Sequence, residues 1–94
     1  MDTSVSYLAN PVVSCGDEDD GAVLFNPDIN DTAIVNLSGR ALWAFLETPR
    51  TVEEMVVHLV ETYRGVTAEQ AAEDVARFVE SLGPDFVLEA SDDA

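Results

Sequence analysis

His58 is the only histidine in the 94-residue chain. It follows Glu54 by four positions and precedes Glu61 by three, so on a helix the three side chains could share a face. That geometry could hold a weakly bound divalent cation, but one imidazole falls short of a usual zinc ligand set. A histidine among solvated carboxylates accounts for the pattern without a ligand. A catalytic histidine also needs a nucleophile to activate, and none is spaced to serve it. Cys15 is the sole cysteine, which excludes an internal disulfide and a thiolate metal cage. The acidic run Asp17-Glu18-Asp19-Asp20 fails as a calcium loop in both registers tried. A template started at Asp17 puts Ala22 at the glycine position and Asp28 where a bidentate glutamate belongs. Started at Asp28, it puts Ala33 at the glycine position. Ser38 lies in Asn36-Leu37-Ser38-Gly39-Arg40 and lacks the Asp-Ser-Leu setting of a serine that carries phosphopantetheine. Neither a phosphate-cradling glycine loop nor a nucleophile elbow is present. The residues therefore read as non-catalytic, with no cofactor and no metal.

Charge narrows the field further. Nineteen Asp and Glu stand against four arginines, with no lysine, for a formal charge of -15. Nucleic acids and anionic membranes both require a cationic patch, and Arg40, Arg50, Arg64 and Arg77 are too scattered to make one. A hydrophobic fraction of 47% is enough to bury a core, and the length suits one domain. Met1-Asp2-Thr3-Ser4 has neither the basic nor the apolar region of a secretory signal. No apolar run approaches the length of a membrane span. A cytoplasmic location is expected.

The elements follow from periodicity. Residues 1–10 read as a flexible tail, 11–88 as the domain, and 89–94 as a flexible acidic tail. Pro11 to Cys15, Ala22 to Phe25 and Thr32 to Leu37 read as three short strands, separated by the acidic loop from Gly16 to Gly21 and by the turn signal Asn26-Pro27-Asp28. Short connections favour an antiparallel meander. From Ser38, read as a cap, the period becomes helical: Ala41, Leu42, Phe45 and Leu46 share a face. Thr51 with Glu54 and Thr67 with Gln70 form capping boxes for two more helices. The first of these carries Val52, Val56, Leu59, Val60 and Tyr63; the second runs to Leu82 and stops at Gly83-Pro84. Phe86-Val87-Leu88 reads as a short extended wing. The expected fold is α+β and winged-helix-like, a three-stranded antiparallel sheet followed by three helices.

Two surfaces stand out. The third strand is last in its meander and is expected to leave backbone groups unpaired. The third helix is apolar around more of its circumference than one buried stripe needs, with Ala68, Ala71, Ala72, Val75, Ala76, Phe78, Val79 and Leu82. Either both of its sides are buried, or one side lines a groove beside the third strand with the small alanines leaving room.

The stretch Leu37-Ser38-Gly39-Arg40-Ala41-Leu42-Trp43-Ala44-Phe45-Leu46, then Pro49-Arg50-Thr51-Val52-Glu53-Glu54-Met55, then Asp74-Val75-Ala76-Arg77-Phe78-Val79-Glu80-Ser81-Leu82, resembles the PqqD-like family. Its members are recognition elements for leader peptides of ribosomally made, post-translationally modified peptides. The resemblance spans about Pro11 to Leu88 and departs at Gly83-Pro84-Asp85, where many relatives continue the helix. It implies that a leader adds as a strand to the third strand and sets apolar side chains beside the third helix. Ala33, Ile34, Val35 and Asn36 would supply the edge. Val75, Arg77, Phe78, Val79 and Leu82 are candidates for the groove and its rim, with the outward helix phase left open. The implied partners are a precursor's leader and a separate maturation enzyme, such as a radical-SAM protein or an ATP- or protease-linked maturase. A winged-helix transcription regulator and a structural or oligomer-forming domain are the alternatives. Against the regulator, Glu69, Glu73, Asp74 and Glu80 outnumber Arg77 on the helix that would have to enter DNA.

Overall fold

The computed structural model describes residues 5–91. In chain order they form β1 (Val5–Ala9), β2 (Ser14–Glu18), β3 (Gly21–Asn26), β4 (Asp31–Asn36), α1 (Leu37–Phe45), β5 (Arg50–Thr51), α2 (Val52–Thr62), α3 (Ala68–Leu82) and β6 (Val87–Ser91). The expected meander is present as an antiparallel sheet in the order β2-β3-β4. Its first strand is displaced: β2 runs through Gly16, Asp17 and Glu18, so the acidic loop contracts to the turn at Asp19 and Asp20.

A second sheet, β5-β1-β6, corrects the reading of the two ends. Val5 to Ala9, expected in a tail, pair antiparallel with Val87 to Ser91 across the whole of both strands. Residues 89–91, also expected in a tail, belong to β6. The remaining parts of those tails, 1–4 and 92–94, lie outside the described residues. Asn10 locks this sheet to the rest of the molecule. Its amide Nδ2 donates to the Asp85 carbonyl at 2.9 Å, and the same carbonyl accepts from Asn26 Nδ2 at 2.8 Å. Asn26 is 2% exposed, so its buried amide is satisfied and ties the meander to the α3–β6 turn.

The helices begin as their caps dictate. Thr51 Oγ1 accepts from the Glu54 N–H and the Glu54 carboxylate accepts from the Thr51 N–H; Thr67 and Gln70 repeat the exchange. The cap of α1 is Asn36, not Ser38: Asn36 Oδ1 accepts from the Gly39 N–H at 2.9 Å and from the Ser38 hydroxyl at 3.0 Å. Helix α3 ends at Gly83, whose φ of 75° suits a residue without a Cβ.

The core joins Ala22, Leu24 and Val35 of the meander to Leu42, Trp43 and Leu46, to Met55 and Leu59, and to Ala71, Val75, Phe78 and Leu82 of α3. On α2, Val60 faces solvent rather than the core. The three extra alanines of α3, at 68, 72 and 76, are also exposed. They fill no second core among the described residues.

Candidate functional site

Strand β4 has β3 on one side and no strand on the other among the described residues. Its open side runs beside α3, and between them lies a cleft of about 220 Å³. Ile34, Val35 and Asn36 form the strand wall. Asp74, Arg77, Phe78 and Ser81 form the helix wall, and Ser38 with Gly39 close one end. The wall on α3 is one stripe at i, i+3, i+4 and i+7.

Two glycines bring the elements this close. A Cβ on Gly39 would sit 2.7 Å from Val35 Cβ, so α1 can begin against β4 only without a side chain there. A Cβ on Gly21 would meet the Val35 carbonyl oxygen at 1.8 Å. Both constraints converge on Val35, the inward-facing residue of β4 that floors the cleft with Phe78. Those two side chains are 8% and 6% exposed, so the apolar floor is narrow. Ile34 on the opposite face of the strand is 81% exposed.

The helix phase is now settled for each candidate residue. Ile34, Val35, Asn36, Arg77 and Phe78 come together at the cleft. Ala33 is half-buried on β4 with its side chain packed toward the core. Val75 and Leu82, at 1% and 8% exposure, lie in the core and not on the cleft surface. Val79 lines a separate hollow on the other flank of α3, with Tyr7, Pro84 and Val87. Sequence reasoning passed over Asp74 and Ser81, although their helical spacing around Arg77 and Phe78 was a usable signal.

The cleft is charged but weakly paired. Arg77 Nη1 lies 3.5 Å from Asp74 Oδ1, and the two side chains are 72% and 38% exposed, which leaves the pair screened and easily opened. Elsewhere, His58 is accounted for by packing. Its ring stacks on Phe45 with centroids 4.0 Å apart and planes within 1°, and the Arg50 guanidinium lies 4.2 Å from the centroid of the Phe45 ring. Glu54 is occupied by its capping box. No group of three His, Cys, Asp or Glu among the described residues is placed to hold a metal. Cys15 is exposed, yet desolvation first, then the charge of Asp17, raise its thiol pKa above the ordinary value; Arg40 opposes them, and a hydrogen bond with Asp17 raises it further. A thiol held protonated is a poor nucleophile.

Over residues 21–83 the chain matches the model of a family described as Coenzyme PQQ synthesis protein D (PqqD). The chain belongs to the PqqD family. The matched region begins at Gly21 and ends at Gly83, and so contains both walls of the cleft. The resemblance in the three sequence motifs is thereby borne out. Among solved structures, "TbiB1 in Complex with the TbiA(beta) Leader Peptide" has a TM-score of 0.73 with this PqqD-family chain. The match covers 90% of this chain and 99% of that one at 21% sequence identity, which establishes a shared fold. No curated protein matches the chain. No helix among the described residues is long and apolar enough to cross a membrane.

Proposed function

We propose that this PqqD-family chain is a non-catalytic adaptor. It captures the leader of a ribosomally synthesised precursor by strand addition to β4 and presents it to a separate maturation enzyme in the cytoplasm. The observation that carries this reading is the open backbone edge of β4 beside α3. An extended peptide there gains main-chain hydrogen bonds on one side and a side-chain pocket on the other. Family membership supports it, as does a fold shared with a protein described in complex with a leader peptide.

Magnitudes show how the work divides. Every other residue of the six in β4 turns its N–H and C=O outward, offering roughly six hydrogen bonds. At a net ~1 kcal/mol each, they exceed the lowest association cost of ~4 kcal/mol by little. Micromolar affinity requires about -8 kcal/mol. Apolar anchoring must supply most of the difference, at ~1.5–3 kcal/mol for each fully buried side chain. The narrow floor of Val35 and Phe78 suits one such anchor. Ile34, exposed at the rim of the cleft, is the adjacent place for a second.

The test is to look for a short precursor encoded beside this protein's gene and to titrate its labelled leader by fluorescence anisotropy. Saturable binding in the micromolar range or tighter is expected. The amide signals of Ala33 to Asn36 should shift together, as new hydrogen bonds form along β4. Binding that leaves those amides unmoved would exclude strand addition.

A further inference from the structure

We infer that the maturation enzyme adds an extended, basic segment to the edge of β6, on the flank of α3 opposite the leader cleft. This rests on the adaptor reading above, which requires two partners to be held at once. Strand β6 is last in the sheet β5-β1-β6 and has no strand on its outer side among the described residues. The Asn10 N–H donates to the Phe86 carbonyl at 2.9 Å. From there the antiparallel register continues through Leu8 with Leu88 and Ser6 with Ala90. Those residues of β6 turn their backbone groups toward β1, so the alternate residues Val87 and Glu89 turn theirs outward. The Val87 N–H donates to the Gly83 carbonyl at 3.0 Å. The Val87 carbonyl and both backbone groups of Glu89 are left open to an added strand.

Beside this row lies a hollow of about 700 Å³. The register pairs Tyr7 with Glu89 and Ala9 with Val87, so Tyr7, Val87 and Glu89 share one face of the sheet. Val79 and Glu80 of α3 form the opposite wall. Charge complementarity selects the occupant. Glu80 and Glu89 are the only charged residues lining the hollow, and both are exposed. Glu89 sits on the receiving strand itself, so its carboxylate is a direct cross-strand neighbour of the added segment. A lysine or arginine there covers Val87 with its stem and meets the carboxylate with its head. A second copy of this chain does not fit, because antiparallel self-pairing of β6 brings the Glu89 side chains of two copies together, each on a chain of charge -15. The hollow and the leader cleft share no lining residue, so enzyme and leader can occupy the protein together.

The experiment loads the protein with its labelled leader and titrates in the maturation enzyme found in the same gene neighbourhood, again by anisotropy. E89P deletes the outward N–H and keeps the bonds to β1, since proline is tolerated on an edge strand where the N–H faces away from the ladder. E80W fills the hollow from the exposed side of α3, and it decides alone if circular dichroism shows E89P unfolded. Each should lower enzyme affinity by about tenfold or more, while leader affinity changes by less than about twofold. E80Q/E89Q should lower enzyme affinity about threefold to tenfold at low salt, the range expected of two screened ion pairs, and flatten its salt dependence. Enzyme binding that is unchanged in E80W, or whose salt dependence is unchanged in E80Q/E89Q, overturns the inference and leaves leader capture standing. A leader affinity that falls with the enzyme's in E80W also overturns it, because the leader is then the occupant. Failure of the enzyme to bind the unaltered, loaded protein removes presentation together with the inference. Failure of the leader to bind removes the adaptor reading itself.

Discussion

Two hollows flank α3, and the larger is not the one best suited to the leader. On one flank, the cleft of about 220 Å³ is walled by β4 alone among the strands. On the other, a hollow of about 700 Å³ is walled by residues of both β1 and β6, including Tyr7, Val87 and Glu89. Those strands are paired to one another throughout. Strand β6 is last in its own sheet, as β4 is in the meander, so an open edge alone does not separate the flanks. Volume is the poorer guide; the smaller cleft has the apolar floor of Val35 and Phe78 beside its edge and lies wholly within residues 21–83, whereas the larger hollow draws Tyr7, Pro84, Val87, Leu88 and Glu89 from outside that stretch.

The strongest way to break this comparison is through a core residue of α3 that lines neither hollow. Val75 is 1% exposed, and Val75→Asp buries a carboxylate with no partner. A loss of roughly 4 kcal/mol is expected, a large fraction of a small domain's total stability. Thermal denaturation followed by circular dichroism should show most of the native transition gone. A folded Val75→Asp variant with weakened leader binding would instead put Val75 on the cleft wall.

The next comparison separates neighbours in sequence. Ser81 lines the cleft and Glu80 lines the other hollow, and both are exposed. Ser81→Trp should weaken leader binding at least tenfold, or about 1.4 kcal/mol, because the indole occupies the place of the incoming side chain. Glu80→Trp should change affinity by less than about twofold. Both should melt close to the unaltered protein. Equal effects in the anisotropy titration would erase the distinction between the flanks.

The difference between the two sheets also explains which parts were legible in sequence. The meander announces itself through local signals. The turn at Asn26-Pro27-Asp28 and the β-branched run in β4 lie within a few residues of the strands they join. The capping boxes at Thr51 and Thr67 are equally local. The second sheet pairs Val5 with Ser91 and Ala9 with Val87, so no hairpin turn marks it, and its strands are short. The α1 cap moved from Ser38 to Asn36 because both residue types serve, and the choice depends on how closely Gly39 packs against Val35. At the cleft, the edge was readable because a strand last in a meander lacks an outer neighbour. The helix phase was not, since the apolar residues of α3 occupy more than one stripe and only tertiary contact selects Ala71, Val75, Phe78 and Leu82 for burial.

Arg77 provides the smallest effect and the finest distinction. It forms an i, i+3 pair with Asp74 in the favourable order, but across 3.5 Å and with its own side chain 72% exposed. Such a pair contributes at most about 0.5 kcal/mol, and Arg77→Gln should lower the melting temperature by less than about 4 °C. A larger drop would make this stripe structural, like the core stripe of α3, and would end its candidacy as a binding wall. The effect on leader affinity has a sign that depends on the leader's charge. Arg77 is the cation in a cleft whose helix wall also carries Asp74, so removing it makes that wall more negative. A leader with a basic strand should then bind as well or up to about twofold tighter at low salt, with the gain fading as salt screens it. A leader carboxylate bound by the guanidinium would produce the opposite, a loss that also fades with salt. Stability and affinity measured on this one variant thus separate a residue that holds α3 in place from one that faces the incoming strand.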